Sequence, residues 1–169
     1  MPRSREVAAR CQTQRVATEA VIRLVDVAST HDLRRLVLRE GRADADVHYG
    51  EDLLADTFHL AALGDSGDVV GVATFAPCPT ERRPGAAAWR LRGMAVHPEA
   101  QGGGIGSALL RVAVDRLGHR GVEVLWADGR DAALPFYERH GWSVEGDGFL
   151  AAGAIPHHLV VLDLRPTGP

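Results

Sequence analysis

The chain has 169 residues and a formal net charge of −3, with 46% hydrophobic and 24% charged residues. That is the size and composition of one soluble domain able to bury a core without disulfide or metal staples. The mild negative charge argues against a general nucleic-acid binder, and no apolar run approaches the length of a membrane span. The two cysteines, Cys11 and Cys78, make neither a disulfide framework nor a metal-ligand spacing, which suits a reducing cytoplasm.

Residues 1–19 carry arginine and alanine but no apolar core of a secretory signal, and are expected to form an N-terminal extension. The domain itself spans residues 20–164. Residues 20–27 read as a first strand, with Val21, Leu24 and Val27 apolar. Ser29 and Thr30 can cap a helix over residues 31–40, which Gly41 stops. Residues 51–56 suggest a short helical turn. Residues 57–63 and 68–75 form a hairpin across Gly64-Asp65-Ser66-Gly67, all turn residues. Gly71 inside the second strand marks a bulge or a close backbone approach. Residues 76–88, with Pro77, Pro79 and Pro84, make a loop.

The most informative stretch comes next. Residues 89–96 are a strand, closed off at Pro98, which offers no N–H to a ladder. Gln101-Gly102-Gly103-Gly104-Ile105-Gly106 follows, and then a helical period takes over. Leu109, Leu110, Ala113, Val114 and Leu117 share one face; Ser107, Arg111, Asp115 and Arg116 take the other. Residues 122–127 are almost continuously apolar, as befits a buried strand beside a parallel neighbour, so this unit is a right-handed strand–helix–strand crossover. Residues 131–140 form another helix, ended by Gly141. Residues 142–150 and 157–164 pair as late strands, and 165–169 are expected to be a flexible tail. The element order predicts a mixed α/β sheet with helices on its faces.

A glycine-rich loop running into a helix is a phosphate cradle. The first helical N–H groups lack partners and carry partial positive charge, and glycines let oxygens approach without meeting Cβ atoms. Two familiar cradles are excluded. Ile105-Gly106-Ser107 has no lysine for a P-loop, and Ser107 stands where the dinucleotide fingerprint needs glycine or alanine.

The pattern Gln101-x-x-Gly104-x-Gly106, following Met94-Ala95-Val96 and Pro98, resembles the acetyl-CoA-binding motif of the GCN5-related N-acetyltransferases (GNAT). A second stretch resembling that family follows in the expected order, Ala133-Leu-Pro-Phe-Tyr-Glu-Arg-His-Gly-Trp142. The resemblance implies a central, mostly antiparallel sheet with a splayed parallel pair and flanking helices. It implies that the amides of Gly102, Gly103, Gly104, Ile105, Gly106 and Ser107 hold the pyrophosphate of acetyl-CoA, with Gln101 at the loop's start and Phe136 beside the co-substrate. Met94, Ala95 and Val96 would pair with the pantetheine arm, one of their amides polarising the thioester carbonyl. The expected product is an acetylated small-molecule or peptide amine, made without a metal. Tyr137 would be the catalytic proton donor to the leaving thiolate.

No single group stands out as the base that strips the acceptor amine. Glu51, His59, Asp128, Asp131, His157 and His158 are candidates, with Arg92 as an orienting charge only. His157 and His158 are adjacent on a strand, so at most one faces a given pocket. Asp131 reads first as a helix cap, and His140 as a partner of a helix C-terminus. Arg130 departs from the family's pattern, which often has asparagine there. The region between the first two strands is where the family selects its acceptor. Dimerisation is common in the family, and edge strands invite it. Two other classes compete with an enzyme: a non-catalytic acyl-CoA-binding module, and a protein holding another nucleotide on the same loop.

Overall fold

The computed structural model describes residues 20–151 and 154–164, so the predicted extension at 1–19 and the tail at 165–169 lie outside the described residues. In chain order the strands are β1 (Val21–Val25), β2 (Phe58–Leu63), β3 (Val69–Pro77), β4 (Ala88–Val96), β5 (Val124–Arg130), β6 (Ser143–Ala151) and β7 (Ile155–Asp163). The helices are α1 (Ala28–Leu33), α2 (Ile105–Gly118) and α3 (Leu134–Arg139). The strands form a single sheet in the order β1-β2-β3-β4-β5-β7-β6. Every neighbouring pair is antiparallel except β4 and β5.

Period-two alternation sorts the strand side chains onto two faces. Phe58, Leu60 and Ala62 of β2, Ala73 and Phe75 of β3, and Leu125 and Ala127 of β5 pack with α2 and α3. Ala61 and Val72 pack instead with Leu33 of α1, on the opposite face. α2 buries Leu109, Leu110, Ala113 and Leu117 of the stripe expected from its sequence, leaves Val114 half-buried and adds Ile105 at its start. Burial of each large side chain there contributes about 1.5–3 kcal/mol. Gly71 does both things expected of it. The β2–β3 register shifts beside it, and a Cβ at Gly71 would lie 2.5 Å from Ile105 Cγ2, so the glycine lets the start of α2 sit on the sheet.

Four expectations need correction. Ser29 and Thr30 do not cap α1; Val27 is the N-cap, and the Thr30 hydroxyl turns inward to donate to the Val27 carbonyl at 2.7 Å. The helix expected over 31–40 widens into a π turn over Arg34–Leu38. β5 starts at Val124 rather than 122, because the Val122 N–H is spent on the Leu117 carbonyl at the end of α2. It then runs on through the polar residues to Arg130, since β7 supplies backbone partners as far as His157. Finally, the last helix begins as a tight turn over Asp131–Ala133, and Asp131 accepts from His158 Nδ1 at 2.8 Å instead of capping.

Candidate functional site

The site is a split in the sheet. β4 and β5 pair over three steps, Ala88 with Val124, Trp89 with Leu125 and Arg90 with Trp126, and then part. Beyond that point residues 91–96 have no strand partner on the β5 side among the described residues, while β3 still holds β4 as far as Val96. A bulge helps turn the strand. Gly93 and Met94 together stand opposite Ala73, and Gly93 has φ +61°. A side chain at Gly93 would meet Tyr49 Cε2 at 2.7 Å and Arg34 Nε at 2.9 Å. The parting strands enclose a cavity of about 220 Å³ between Arg90, Leu91, Arg92, Gly93 and Met94 on one wall and Ala127, Asp128 and Arg130 on the other.

The glycine loop is joined to this cleft through Met94, which lines the cavity and touches the start of α2. Gly102 and Gly104 take φ +77° and +83°, and nothing lies within 4 Å of where their Cβ atoms would be. The first bond of α2 runs from the Ala108 N–H to the Gly104 carbonyl at 2.9 Å. The amides of Ile105, Gly106 and Ser107 are therefore without intrahelical acceptors, and the positive end of a fourteen-residue helix lies behind them. Met94 Cε and the Phe136 ring cover Gly106, each 3.2 Å from its Cβ position, so two predicted residues meet at the helix start. The Gln101 side chain does not point into the loop: it donates to the Val96 carbonyl at 3.1 Å and braces the strand end. The Ser107 hydroxyl is 2.9 Å from His140 Nε2, and His140 Nδ1 is 2.8 Å from the Phe136 carbonyl. His140 thus does partner a helix end, and it also clamps α3 to α2.

Tyr137 is 7% exposed, its ring edge set against Gly129 and Trp142, and it lines the cavity. Burial pushes its phenol up to about 12, so it carries its proton throughout the neutral range.

The opposite face of the cleft is built from charges that local sequence does not announce. Arg34 is fully buried. It donates to Asp52 at 2.7 and 2.9 Å, to the Val47 carbonyl at 2.9 Å and to Thr74 Oγ1 at 2.6 Å. Its guanidinium stacks on Tyr49, and Arg92 lies against the same ring. Arg92 and Arg90 both donate to Glu51 Oε1, at 2.7 and 2.8 Å, and Arg90 also reaches Asp128. Arg130 donates to the Leu38 carbonyl at 3.0 Å, tying β5 to the end of the π turn. An arginine between Leu33 and Leu36 of an apolar helix face is the one available sequence signal for this network.

The candidate bases separate by position. Burial pushes the Glu51 carboxyl up, but its own backbone N–H and the two arginines outweigh this and hold it below the ordinary glutamate range. His59 is buried behind the cleft against Thr74 at 2.8 Å. Asp131 and His158 bond each other on the α3 face, away from the arginines. His157 is the histidine that lines the cavity, as adjacency on a strand demands of one of the pair. Its Nδ1 lies 2.8 Å from the Ile155 carbonyl, so in the neutral ring Nδ1 carries the hydrogen and Nε2 is the acceptor.

Comparison with known proteins bears on this geometry. The model of the Acetyltransferase (GNAT) family matches residues 39–142. The chain is 30% identical over 140 residues to the uncharacterized N-acetyltransferase YitI of Bacillus subtilis (strain 168), covering 83% of this chain and 93% of that one. It shares its fold with an aminoglycoside 6'-N-acetyltransferase solved with coenzyme A, at TM-score 0.70 and 17% identity, covering 88% of this chain and 99% of that one. It also resembles the GNAT family N-acetyltransferase YhbS of Escherichia coli, solved in complex with CoA, at TM-score 0.62 and 20% identity, covering 88% and 83%. The split parallel pair, the open amides before α2 and the two motifs that frame them agree with these matches: the chain belongs to the GNAT acetyltransferase family.

Proposed function

We propose that the protein transfers an acetyl group from acetyl-CoA to an amine by direct attack on the thioester. The observation that carries this reading is the conjunction at the split. Unpartnered β4 backbone and a buried, protonated phenol border one cleft, and Met94 of its wall also touches the start of α2, whose first amides have no intrahelical acceptor. Acetyl-CoA supplies a carbonyl carbon already activated by a thiol leaving group.

The chain's own residues then have separate tasks. The amides of residues 102–107 hold the diphosphate, and the open space at Gly102 and Gly104 admits its oxygens. The edge of β4 at Met94, Ala95 and Val96 bonds the pantetheine arm, with an amide there polarising the thioester carbonyl. An alkylammonium with a pKa of about 10.4 is neutral in only roughly one molecule in a few thousand at pH 7, so a base is needed. His157 Nε2 takes that proton, imidazole being the side chain most often used for such transfers. The nitrogen forms its bond to the carbonyl carbon and releases its second proton to solvent, the carbon–sulfur bond breaks, and Tyr137 gives its proton to the departing thiolate. Solvent restores the phenol. The net change is acetyl-CoA plus an alkylammonium giving acetamide, CoA thiol and one proton.

Thermal shift with acetyl-CoA, CoA, ATP and NAD, followed by release of CoA thiol across a panel of amines, tests this. Stabilisation by acetyl-CoA and CoA together with amine-dependent thiol release is expected. Stabilisation without release for any amine would instead favour the non-catalytic acyl-CoA-binding alternative. Stabilisation by ATP or NAD alone would favour another nucleotide.

A further inference from the structure

A second cavity, of about 390 Å³, lies on the same sheet face as His157 and Arg90. Its floor is Trp126 of β5, Leu159 of β7 and Phe149 of β6, and its roof is the β3–β4 loop from Pro79 to Arg82. That roof is pinned. Arg83 forks onto Glu145 of β6 at 2.8 and 3.3 Å and onto Asp163 of β7 at 2.9 Å through two nitrogens. The space therefore exists before any ligand arrives.

Three contacts join this cavity to the reaction cleft. Asp128 lines both. Arg90, on the cleft wall, stacks 4.6 Å above Trp126 on the second cavity's floor. His157, on the cleft wall, stacks on Phe149 with ring centroids 5.8 Å apart and planes 22° apart. A molecule presenting one end to His157 has its other end over these aromatic rings. Phe149 is 39% exposed, a large apolar side chain left open to solvent at that spot.

Charge selects the class of molecule. Glu145 is taken by Arg83, and Asp128 by Arg90. Glu81 and Asp147 also line the cavity and have no ion-pair partner among the described residues, and Arg82 is the one lining cation, so two unpaired carboxylates face one unpaired guanidinium. An apolar floor under a rim that stays net negative suits an alkyl arm carrying a distal cation, held by charge and by the ring faces together.

We propose that this cavity is the acceptor subsite and that the acceptor is a cationic diamine. One nitrogen enters the cleft at His157, the methylene arm crosses Trp126 and Phe149, and the second ammonium sits at Glu81 and Asp147. This rests on the acetyltransfer reading above.

The test compares kcat/KM for hexamethylenediamine, hexylamine and methylamine, in the wild type and in the double variant Glu81→Gln, Asp147→Gln. The diamine is expected to exceed hexylamine at least tenfold in the wild type, with that preference lost in the double variant. Phe149→Ala is expected to erode the advantage of both six-carbon amines over methylamine. Equal use of diamine and monoamine, or a preference that survives the double substitution, overturns the subsite. Calorimetric titration of hexamethylenediamine into CoA-saturated protein separates the two ideas. Binding that the double variant abolishes upholds the subsite even if no amine is acetylated, which would then sink the transfer reading alone. Absence of binding overturns the subsite whatever the activity.

Discussion

The two sides of the split sheet work by different physics. On the α2–α3 side the cleft is walled by neutral and apolar groups, Met94 and Tyr137, with Phe136 beside them and the main-chain amides at the start of α2 next to Met94. On the α1 side it is walled by ions, with Arg34 on Asp52 and Arg90 and Arg92 on Glu51. A backbone cradle tolerates many side chains provided the glycines are in place. A charged wall works only when each ion has its partner, because a lone buried charge costs far more than the pair gains. The first side is accordingly broken by adding atoms, the second by removing them.

The largest effect is expected at Arg34. Arg34→Met leaves the Asp52 carboxylate buried without its cation and Thr74 and the Val47 carbonyl without a donor. Loss of one partner of a buried pair costs about 3–5 kcal/mol, or roughly 10 °C in melting temperature for a domain of this size. Thermal unfolding checks this, and a loss under about 1 kcal/mol would mean that water already shares the site.

At the chemical step, Tyr137→Phe is expected to lower kcat at least tenfold, about 1.4 kcal/mol of barrier, with little change in the KM for acetyl-CoA. An unaltered rate would return Tyr137 to packing. His157→Gln should cost a similar factor, and raising the pH should recover part of it because the amine then arrives neutral. A loss independent of pH would remove His157 from the proton path.

Gly71→Ala probes the cradle by addition. The new methyl lies 2.5 Å from Ile105 Cγ2, and overpacking of that kind costs about 1–3 kcal/mol. The start of α2 must shift, so the KM for acetyl-CoA should rise several-fold. Removing that γ-methyl with Ile105→Leu in the same chain should restore it, and no rise in KM would show that the helix start is not held by that contact.

The smallest effect concerns pH. Burial lowers the His59 pKa, Arg34 adds to this, and Asp52 opposes it. The unfolded chain therefore takes up this proton first, at about pH 6.5, and the folded state only lower. Stability from this group is full above that value and is lost as pH falls toward the folded pKa, by at most about 1.4 kcal/mol per pH unit. Denaturant titration across this range should show the slope in the wild type and a shallower one in His59→Gln; equal slopes would assign the proton elsewhere.

Legibility followed the same divide. The hairpin at Gly64 to Gly67, the stripe of α2, the glycine loop and the bulge beside Gly71 are encoded within a few residues, so periodicity and turn chemistry found them. The Ser29-Thr30 cap failed because a buried site drew the Thr30 hydroxyl inward. The extension of β5 through Asp128 and Arg130 was missed because polar residues in a strand make sense only beside a gap. The second cavity joins loop 79–82 to Phe149 and Leu159, segments that lie far apart along the chain.

What the amino-acid order determined by itself is local: where strands and helices run, which helix start is left with bare amides, and hence the family to which the chain belongs. What only the tertiary structure decided is which distant charges meet. Arg34 and Asp52 are eighteen residues apart and Arg90 and Asp128 thirty-eight. Periodicity decays within a few turns of chain, whereas an ion pair depends on distance in space, which the packing of whole elements sets.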